Sequence, residues 1–331
     1  DKDKKKVLSL NNYRSYIKSI SNNEIKEFFK NKFEASFRIE SIKRCDVVIY
    51  CLPTPLDKNK GPDMSYINDT LQKGSKYLKK GQLLILESTT YPGTTEEYFL
   101  PILKQRKFKV GKNIFLGYSP EREDPGNKNY SIDKISKVIS GFTPQCRKLV
   151  KNLYKSVVKE TIEVSSIRSA EMTKLLENIY RCVNIGLVNE LKLVCEKMSI
   201  DIFEIINAAK SKPFGFQAFY PGPGLGGHCI PIDPYILSWK AKEYGIDTKF
   251  IELAGQINES MPEYVLKNLQ DALGQQNKTL YNSKICILGV AYKKNVDDIR
   301  ESPALELMNI FKKKKIYFDY SDPYIPKLPK T

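Results

Sequence analysis

Short apolar runs alternate with helix-like stretches along the first half of the chain. Residues 45–51 and 82–87 have the pattern of buried strands, and the stretch between them, residues 65–79, has that of a helix. Residues 113–117 and 137–141 look like further strands. Because apolar strands that alternate with helices are typical of parallel sheets covered on both faces, the pattern predicts a doubly wound α/β sheet.

Two loops follow the first two predicted strands. Residues 52–55 carry two prolines around Thr54, and residues 88–93 run from a serine to a proline and a glycine. In doubly wound sheets, ligands bind outside the carboxyl ends of the strands. We therefore expect a ligand site at these two loops.

The middle of the chain differs, because residues 167–199 form one long helix-like stretch without proline. Its length suggests a spine between two domains. A second strand and helix unit follows at residues 284–290 and 302–314, with a short strand at 316–320. The predicted fold is therefore α/β, with two Rossmann-like doubly wound domains joined by a long central helix.

Both Rossmann-like units look truncated. A dinucleotide-binding unit needs a strand, a G-x-G-x-x-G turn and a helix before an acidic residue such as Asp1. No G-x-G-x-x-G occurs in residues 1–60, and the last unit has few strands. From the residues alone, either the chain is a fragment or its first half is not a nucleotide site.

The net charge of the chain is +16, with 54 lysines and arginines against 38 acidic residues. Such a surplus could serve nucleic acid, an anionic membrane surface or anionic small substrates. The lysines are scattered among acids and lack the aromatic interleaving of a single-strand binder, so we expect solvated faces and no nucleic-acid partner. The positive field would still favour a substrate that carries phosphate.

Seven cysteines occur without a C-x-x-C pair or the spacing of a zinc site, so we expect no metal and a reducing cytoplasm. The single histidine, His228, cannot support a histidine metal cluster. No signal peptide and no apolar run of bilayer length are present, which predicts a protein without a membrane partner.

The segment YPGPGLGGHCIPIDPYILSWK, residues 220–240, places Cys229 between a glycine-rich loop and a predicted helix. Asp233 and Pro234 have the pattern of an N-cap and a first helical proline, so the positive helix end would lie within a turn of the thiol. That field favours a thiolate, and the glycines let the backbone approach a ligand or an oxyanion. On the loop alone, Cys229 could be a catalytic nucleophile or a buried core cysteine.

Four polar residues outside this loop are weaker candidates. Lys174 and Asn178 are spaced i, i+4, so they share one face of the long helix. A lysine near the thiol would lower the thiol pKa and stabilise a negative oxygen, although such a pair is also typical of a solvated helix face. Glu121 and Thr89 are uninformative when taken singly.

Six ordered motifs change this picture. They are CLPTPLDKN at 51–59, ESTTYPGTTEE at 87–97, GYSPEREDPGN at 117–127, KLLEN at 174–178, YPGPGLGGHCIPIDPYILSWKA at 220–241 and GVAYKKNVDDIRESPALELM at 289–308. Together they resemble the nucleotide-sugar 6-dehydrogenases, and the resemblance covers essentially the whole chain. It favours the catalytic interpretation of Cys229.

The resemblance implies an enzyme that oxidises the primary alcohol at carbon six of a UDP-sugar to a carboxylate and reduces two NAD per turnover. Cys229 matches the family nucleophile, whose thiolate adds to the aldehyde and forms a thioester that water cleaves. Lys174 and Asn178 match the pair that stabilises the oxyanion. Asp233 matches the acid that assists thioester hydrolysis.

Glu121 and Thr89 match family residues that handle protons through an ordered water. The resemblance also implies a cofactor set and a substrate set. For NAD, the matching residues are Asp1, Lys6, Thr54, Pro55, Thr89 and Arg300. For the UDP-sugar, they are Glu121, Arg122, Lys174, Asn178, Tyr220, Gly222, Gly224, Gly226, Gly227, His228 and Lys293.

The resemblance also divides the chain into domains. It implies an NAD-binding Rossmann-like domain over residues 1–160, a central helical domain with the cysteine loop over 161–275, and the start of a UDP-binding domain over 276–331. The first strand and glycine turn of the NAD-binding domain are missing from the pattern. The family forms dimers through its central helices, so we expect a homodimer through residues 167–199, in a cytoplasmic enzyme of polysaccharide biosynthesis.

The cysteine loop indicates a branch of the family. UDP-glucose dehydrogenases typically carry a lysine in a G-G-S-C-F-P-K-D type loop, where this chain has Ile232. The G-G-H-C-I-P-I-D form resembles enzymes of UDP-N-acetylhexosamines, most of all UDP-N-acetylglucosamine 6-dehydrogenases. The alternatives are a UDP-glucose 6-dehydrogenase and a truncated, inactive homologue. We expect His228 to pack beside the nucleophile or to contact the acetamido group.

Overall fold

The computed structural model describes residues 1–17, 20–124, 132–227 and 229–329. The chain divides into two compact units. The first comprises Asp1–Thr54 and Asp63–Lys174, and the second comprises Pro55–Pro62 and Leu175–Thr331. Among the described helices, none is both long and apolar enough to cross a membrane.

Five strands form one sheet in the first unit, in the order in which they follow along the chain. The strands are β1 (Val47–Tyr50), β2 (Leu83–Leu86), β3 (Phe115–Tyr118), β4 (Lys137–Gly141) and β5 (Thr161–Glu163). The helices are α1 (Lys4–Asn11), α2 (Asn22–Lys30), α3 (Ser65–Gly74), α4 (Thr94–Gln105) and α5 (Pro144–Tyr154). Strands and helices alternate from β1 to β3 and from β4 to β5, which confirms the predicted α/β fold.

The direction of β4 departs from the parallel arrangement that the alternation of strands and helices indicates. β1, β2 and β3 pair in parallel, as do β4 and β5, but β3 and β4 run antiparallel with Gly117 opposite Gly141. A parallel pair needs a crossover, usually helical, and the described residues 119–124 and 132–136 between these strands contain no α-helix. The reversal puts Lys137, the first residue of β4, at the edge where β1, β2 and β3 end.

The core of this sheet lies around β2, which is buried along its whole length. Leu83 and Ile85 belong to one cluster with Ile139 of β4 and with Val150 and Tyr154 of α5. Branched and aliphatic side chains suit a strand that is covered on both faces. This packing holds the strands in place, and the strand ends in turn position the loops that follow them.

The predicted long helix is confirmed as α6 (Ile167–Lys197), which has 31 residues. It ends two residues before the predicted limit at Ser199. Ser199 has a left-handed φ of 56°, and the N–H of Ile200 donates to Cys195 O, which closes the helix end.

The described part of the second unit holds four further helices and a parallel pair of strands. They are α7 (Ile202–Lys210), α8 (Asp233–Lys242), α9 (Lys249–Gly274), β6 (Ile285–Leu288), α10 (Pro303–Lys313) and β7 (Phe318–Ser321). Phe311 of α10 is fully buried and clusters with Leu266 of α9 and Ile316. The unit of β6, α10 and β7 confirms the strand and helix pattern that the sequence predicts.

Candidate active site

The glycine-rich loop before Cys229 is shaped by Tyr292. A Cβ atom on Gly226 would lie 2.6 Å from Tyr292 Cβ, and one on Gly227 would lie 2.8 Å from the Tyr292 ring. Gly227 also has a φ of 89°, and its N–H donates to Arg300 O at 2.9 Å. Close packing within the chain therefore requires glycine at both positions. The approach of this backbone to a ligand stays a prediction.

The start of α8 corrects the predicted helix cap. The sequence suggests Asp233 as N-cap and Pro234 as the first helical residue, but Ile232 is the cap and Asp233 is the first residue of the helix. The reason is the preceding turn, since the N–H groups of Ile232 and Asp233 both donate to Cys229 O, at 3.0 and 2.8 Å. The helix start still lies within a turn of Cys229, which is half-buried.

Two predicted catalytic residues meet at this helix start. Asn178 of α6 donates from Nδ2 to Asp233 Oδ2 at 2.5 Å. Only 4% of Asn178 and 1% of Asp233 are exposed. A buried carboxylate needs such a partner, and the bond also fixes its orientation. The second unit thus brings together Asn178, Asp233 and the backbone of Cys229.

Lys174 lies one helical turn before Asn178, on the same face of α6. It is buried, with 9% of its surface exposed. Within the described part of the chain, its ammonium group has no ion pair or hydrogen bond. An ammonium group without a partner in the chain is available to an anion, which fits the predicted role at a negative oxygen.

Arg300 and Lys293 follow β6. The Arg300 guanidinium donates to both oxygens of Asp298, with the shortest contact at 2.5 Å. That bond, with the charge of Asp298, raises the pKa of Arg300. Through its backbone, Arg300 also holds Gly227. Lys293 is partly buried, and the contacts of both residues to NAD and UDP-sugar stay predictions.

A chain of buried amides, which the sequence analysis missed, supports the first half of the loop. Gly222 N–H donates to Asn189 Oδ1 at 2.9 Å, and Asn189 Nδ2 donates to Asn258 Oδ1 at 2.8 Å. Asn258 Nδ2 donates in turn to Cys182 O at 3.0 Å. The sequence offered one sign of these bonds, which is that Asn189 and Asn258 lie within apolar helical patterns. An asparagine that is buried there must find hydrogen-bond partners.

The remaining loop residues have separate surroundings. Tyr220 stacks on Phe203 of α7, with ring centroids 6.5 Å apart, and donates its hydroxyl to Asn207 at 3.0 Å. Gly224, which has a φ of 133°, borders a cavity of about 630 Å³ in the second unit. His228 lies outside the described residues.

The two predicted ligand loops of the first unit are tied together, because Thr54 Oγ1 donates to Thr89 O at 2.6 Å. The hydroxyls of Tyr50, the last residue of β1, and of Thr90, which follows Thr89, are buried, and neither has a hydrogen-bond partner among the described residues. Buried polar atoms are normally paired, so this edge keeps donors and acceptors for a polar ligand. The edge therefore fits a cofactor such as NAD. Pro55, the next predicted contact, begins the segment that belongs to the second unit.

Asp1 and Lys6 are exposed near the start of the chain. Asp1 Oδ1 accepts from the N–H of Asp3 at 2.9 Å. Lys6 Nζ lies 5.4 Å from the ring centre of Tyr16. Their contacts to the cofactor stay predictions.

Glu121 lies after β3 and is held as a carboxylate. Its Oε2 lies 2.8 Å from Lys137 Nζ, and its Oε1 accepts from the N–H groups of Arg122 and Glu123 at 2.8 and 2.9 Å. Burial alone would raise the pKa of Glu121, but the bond and charge of Lys137 and the two N–H groups outweigh burial and lower it. Arg122 donates from Nη1 to Ser136 O at 2.7 Å.

Glu171 of α6 is a buried carboxylate that the sequence analysis missed. It accepts from Gly93 N–H at 2.6 Å, from Thr95 N–H at 2.9 Å and from Thr95 Oγ1 at 2.7 Å. Gly93 has no side chain with which to cap α4, so Glu171 caps α4 from another helix. Burial raises the pKa of Glu171 to about 7, although these bonds act to lower it. The sequence offered one sign that Glu171 is buried, because this acid lies within an apolar pattern three residues before Lys174.

The predicted residues divide between the two units. Those of the first unit are Asp1, Lys6, Thr54, Thr89, Glu121, Arg122 and Lys174. Those of the second unit are Pro55, Asn178, Tyr220, Gly222, Gly224, Gly226, Gly227, Cys229, Asp233, Lys293 and Arg300. Hydrogen bonds join Thr54 to Thr89 in the first unit and Asn178 to Asp233 in the second.

The chain matches three domains of one protein family. Residues 1–158 match the NAD binding domain of the UDP-glucose/GDP-mannose dehydrogenase family. Residues 168–260 match its central domain, and residues 286–331 match its UDP binding domain. These matches together cover most of the chain.

Individual relatives agree with this assignment. The chain is 35% identical to the UDP-N-acetyl-D-glucosamine 6-dehydrogenase of Pseudomonas aeruginosa over 304 residues, 91% of this chain and 71% of the relative. It is also 35% identical to the UDP-N-acetyl-D-mannosamine dehydrogenase of Pyrococcus horikoshii over 294 residues, 89% and 69% of the two chains. The solved structure of UDP-D-ManNAc dehydrogenase from Pyrococcus horikoshii superimposes with a TM-score of 0.91 at 32% identity, over 100% of this chain and 78% of that one. The chain therefore belongs to the UDP-glucose/GDP-mannose dehydrogenase family and is an NAD-dependent nucleotide-sugar dehydrogenase.

Proposed function

We propose that this protein oxidises the carbon-six alcohol of a UDP-N-acetylhexosamine to the carboxylate, with UDP-N-acetylglucosamine favoured over UDP-N-acetylmannosamine. The match to the UDP binding domain supports a UDP-sugar. The G-G-H-C-I-P-I-D loop supports the N-acetylhexosamine branch, because Ile232, buried at the α8 cap, offers no ammonium group there. The two relatives are named for different epimers, so the choice of epimer rests on the resemblance of the loop.

The observation that carries this proposal is the buried hydrogen bond between Asn178 and Asp233. A pair that belonged to a solvated helix face would be exposed, whereas both side chains are buried beside the cysteine loop. A core cysteine would be surrounded by apolar groups, whereas Cys229 is half-buried and lies four residues before a buried carboxylate. These surroundings support the catalytic interpretation.

Cys229 is the proposed nucleophile. NAD, when bound, accepts the hydride that leaves carbon six in each of the two oxidations. Between them, the Cys229 thiolate adds to the aldehyde carbon, so that loss of the second hydride leaves a thioester on the cysteine. Water then attacks the thioester carbon and the carbon–sulfur bond breaks, which releases the carboxylate, returns Cys229 to the thiolate and passes the two protons of the water to solvent.

Five further side chains handle charge and protons in this proposal. Lys174 and Asn178 stabilise the negative oxygen that forms when the thiolate adds. Asp233 assists the water that cleaves the thioester. Glu121, with Thr89, takes up the proton of the alcohol through an ordered water. The burial of Lys174 and the ionised state of Glu121 support these roles.

Ligand contacts and compartment follow the same resemblance. We propose that NAD contacts Asp1, Lys6, Thr54, Pro55, Thr89 and Arg300. The UDP-sugar contacts Arg122, Lys293, His228 and the loop of residues 220–227. Seven cysteines without disulfides support a cytoplasmic enzyme, and a uronic acid sugar is a suitable precursor for a surface polysaccharide.

An exposed apolar stripe along α6 supports a homodimer. Its members share one helix face and are 39–61% exposed: Met172, Leu176, Leu187, Leu191 and Val194. Apolar surface of this kind marks interaction sites. We propose that the central helices of two chains pack along this stripe. Light scattering should give a dimer for the wild type and a monomer for the double variant Leu187→Glu and Leu191→Glu; a wild-type monomer would contradict the proposal.

NADH formation with three substrates tests the proposed reaction. The protein is supplied in turn with UDP-N-acetylglucosamine, UDP-N-acetylmannosamine and UDP-glucose. We expect two NADH per sugar consumed and the highest kcat/KM with UDP-N-acetylglucosamine. A higher kcat/KM with UDP-N-acetylmannosamine would reverse the epimer assignment, and a preference for UDP-glucose would reject the branch. One NADH per sugar would contradict the four-electron oxidation.

A further inference from the structure

Lys137 is a buried lysine at the edge of the sheet where we expect ligands to bind. The proposed reaction assigns no role to this lysine. It is the first residue of β4, and because β4 runs antiparallel to β3, it lies at the edge where β1, β2 and β3 end. Only 8% of the residue is exposed. An ammonium group is retained at such a position when carboxylates and hydrogen bonds offset the loss of water.

Two carboxylates share this ammonium group. Lys137 Nζ lies 2.8 Å from Glu121 Oε2 and 3.2 Å from Glu87 Oε1. Glu87 is itself fixed by the hydroxyl of Tyr154, which donates to Oε1, and by Cys51 Sγ at 3.5 Å from Oε2. The Tyr154 ring also lies 5.1 Å from Lys137 Nζ. The core side of the sheet thus holds Lys137 in place, and its ammonium group also reaches Glu121.

We propose that Lys137 is a positioning residue, which orients the Glu121 carboxylate for the proton transfer assigned to it. The side chain of Glu121 is 49% exposed, whereas those of Lys137 and Glu87 are 9% and 13% exposed. A half-exposed glutamate on a loop would sample several rotamers, and a buried, doubly anchored lysine restricts it. The inference rests on the proposed function, since it takes Glu121 as the proton-handling group.

The charges around Glu121 act in opposite directions. The described charged and titratable groups near it are Lys137, Arg122, Glu87, Glu123, Asp124, Cys51 and Tyr154. Burial would raise the pKa of Glu121, and the bond and charge of Lys137 lower it. The acids in this set oppose the ionisation of Glu121, because they carry the same charge. Loss of the Lys137 charge therefore raises the pH at which Glu121 takes up its proton.

The pH profile of kcat separates a positioning role from a merely structural one. We expect Lys137→Met to move the acid limb of the profile upward by about one pH unit, which lowers kcat about ten-fold on the acid side. The KM for the UDP-sugar should change little. Lys137→Arg keeps the charge and should retain the wild-type limb. Lys159→Met is the matched control, because Lys159 also pairs with a carboxylate, that of Asp133, but is exposed.

A second measurement is independent of turnover and of NAD. In the protein without cofactor, carbon-13 NMR of carboxyl-labelled glutamate follows the titration of Glu121, and Glu121→Gln assigns the signal by its loss. We expect a higher midpoint in Lys137→Met than in the wild type and in Lys137→Arg. If Lys137→Met fails to fold, Lys137→Gln removes the charge but keeps a polar donor, and the same shift is expected there.

The results of these measurements distinguish failure of the Lys137 inference from failure of the proposed function. Titration curves of Glu121 that coincide in Lys137→Met and the wild type would overturn the inference, as would a Lys137→Arg variant impaired as much as Lys137→Met. An unchanged kcat in Glu121→Gln would overturn both the inference and the proton role proposed for Glu121, while continued NADH formation would leave the proposed reaction standing. Absence of NADH with every UDP-sugar would reject the proposed function instead, and the NMR titration would still decide whether Lys137 controls Glu121.

Discussion

The cysteine loop and the carboxyl edge of the sheet are held in different ways. Around the loop, amides form the supporting bonds, from Asn178 to a carboxylate and from Asn189 to the backbone and a second amide. At the sheet edge, the ammonium group of Lys137 joins the carboxylates of Glu87 and Glu121. Amides do not titrate, whereas bonds between ionised groups depend on pH. The chain of Asn189 and Asn258 therefore supports the first half of the loop independently of pH, whereas the bonds of Lys137 at the sheet edge join ionised groups.

Loss of the proposed nucleophile should have the largest effect. We expect Cys229→Ser to lower formation of the UDP-uronate by at least about 1000-fold, because a hydroxyl is a poor nucleophile without an activating base. Chromatography of the products measures it. Cys286→Ser, at an exposed cysteine of β6, is the control and should stay near the wild-type rate. A wild-type rate in Cys229→Ser would remove the cysteine loop from the chemistry.

Lys174 tests whether its charge acts in the proposed reaction or in substrate binding. Lys174→Ala should lower kcat by about 100-fold to 1000-fold, the usual loss for one oxyanion donor, with little change in KM. Lys192→Ala, which removes a lysine of the same helix that pairs with Glu196, should leave kcat unchanged. A change confined to KM would assign Lys174 to substrate binding.

Glu171 should make the first unit sensitive to pH. Its pKa is about 7 in the folded protein, raised by burial from an ordinary value of 4.5. The folded state thus binds this proton more tightly than the unfolded chain does. The resulting stability is present at low pH and is lost as the pH rises from about 4.5 to about 7, by about 3 kcal/mol.

Urea unfolding across this pH window measures the effect. The wild-type midpoint should fall relative to that of Glu171→Gln as the pH rises, because the variant has no carboxyl group to ionise at this position. Glu263→Gln, at an exposed glutamate of α9, is the control and should follow the wild type. Parallel curves for Glu171→Gln and the wild type would show that Glu171 is not the titrating group.

The smallest effect is expected when the chain of buried amides that supports the cysteine loop is broken. Asn189→Leu leaves the N–H of Gly222 without its acceptor, which should cost about 1–3 kcal/mol in the free energy of unfolding. Because no ionised group takes part, the loss should be the same in acidic and neutral buffer. Asn184→Ala, whose amide only bonds to its own helix, is the control. A loss that varied with pH would erase the distinction between the two regions.

The hydrophobic pattern located most of the elements, because apolar runs and the absence of proline are local signals. It placed the strands to within a few residues and gave almost the full length of α6. It did not give the direction of β4, since direction depends on pairing with β3 and on the path of the chain between them. The cap of α8 was wrong for a similar reason, because the turn that begins at Cys229 brings Asp233 into the helix.

In the candidate site, too, the sequence indicated some residues and missed others. Motifs pointed to Asn178 and Asp233, but only the fold shows that these residues, 55 positions apart, form a hydrogen bond. Lys137, Glu87 and Glu171 were missed, because a single charged residue carries little information until its burial is known. An acid at the end of a buried strand, or within the apolar pattern of a helix, was the signal that the sequence offered.

Because Tyr292 packs against Gly226 and Gly227, the cysteine loop is completed late during synthesis of the chain. A ribosome makes the loop well before it makes Tyr292 and Arg300, so the loop at first lacks both its packing partner and the carbonyl that Gly227 bonds to. The five-stranded sheet is already made by then, and folding from the amino end can run ahead. A nascent chain therefore carries Cys229 before the packing that shapes the two glycines beside it exists.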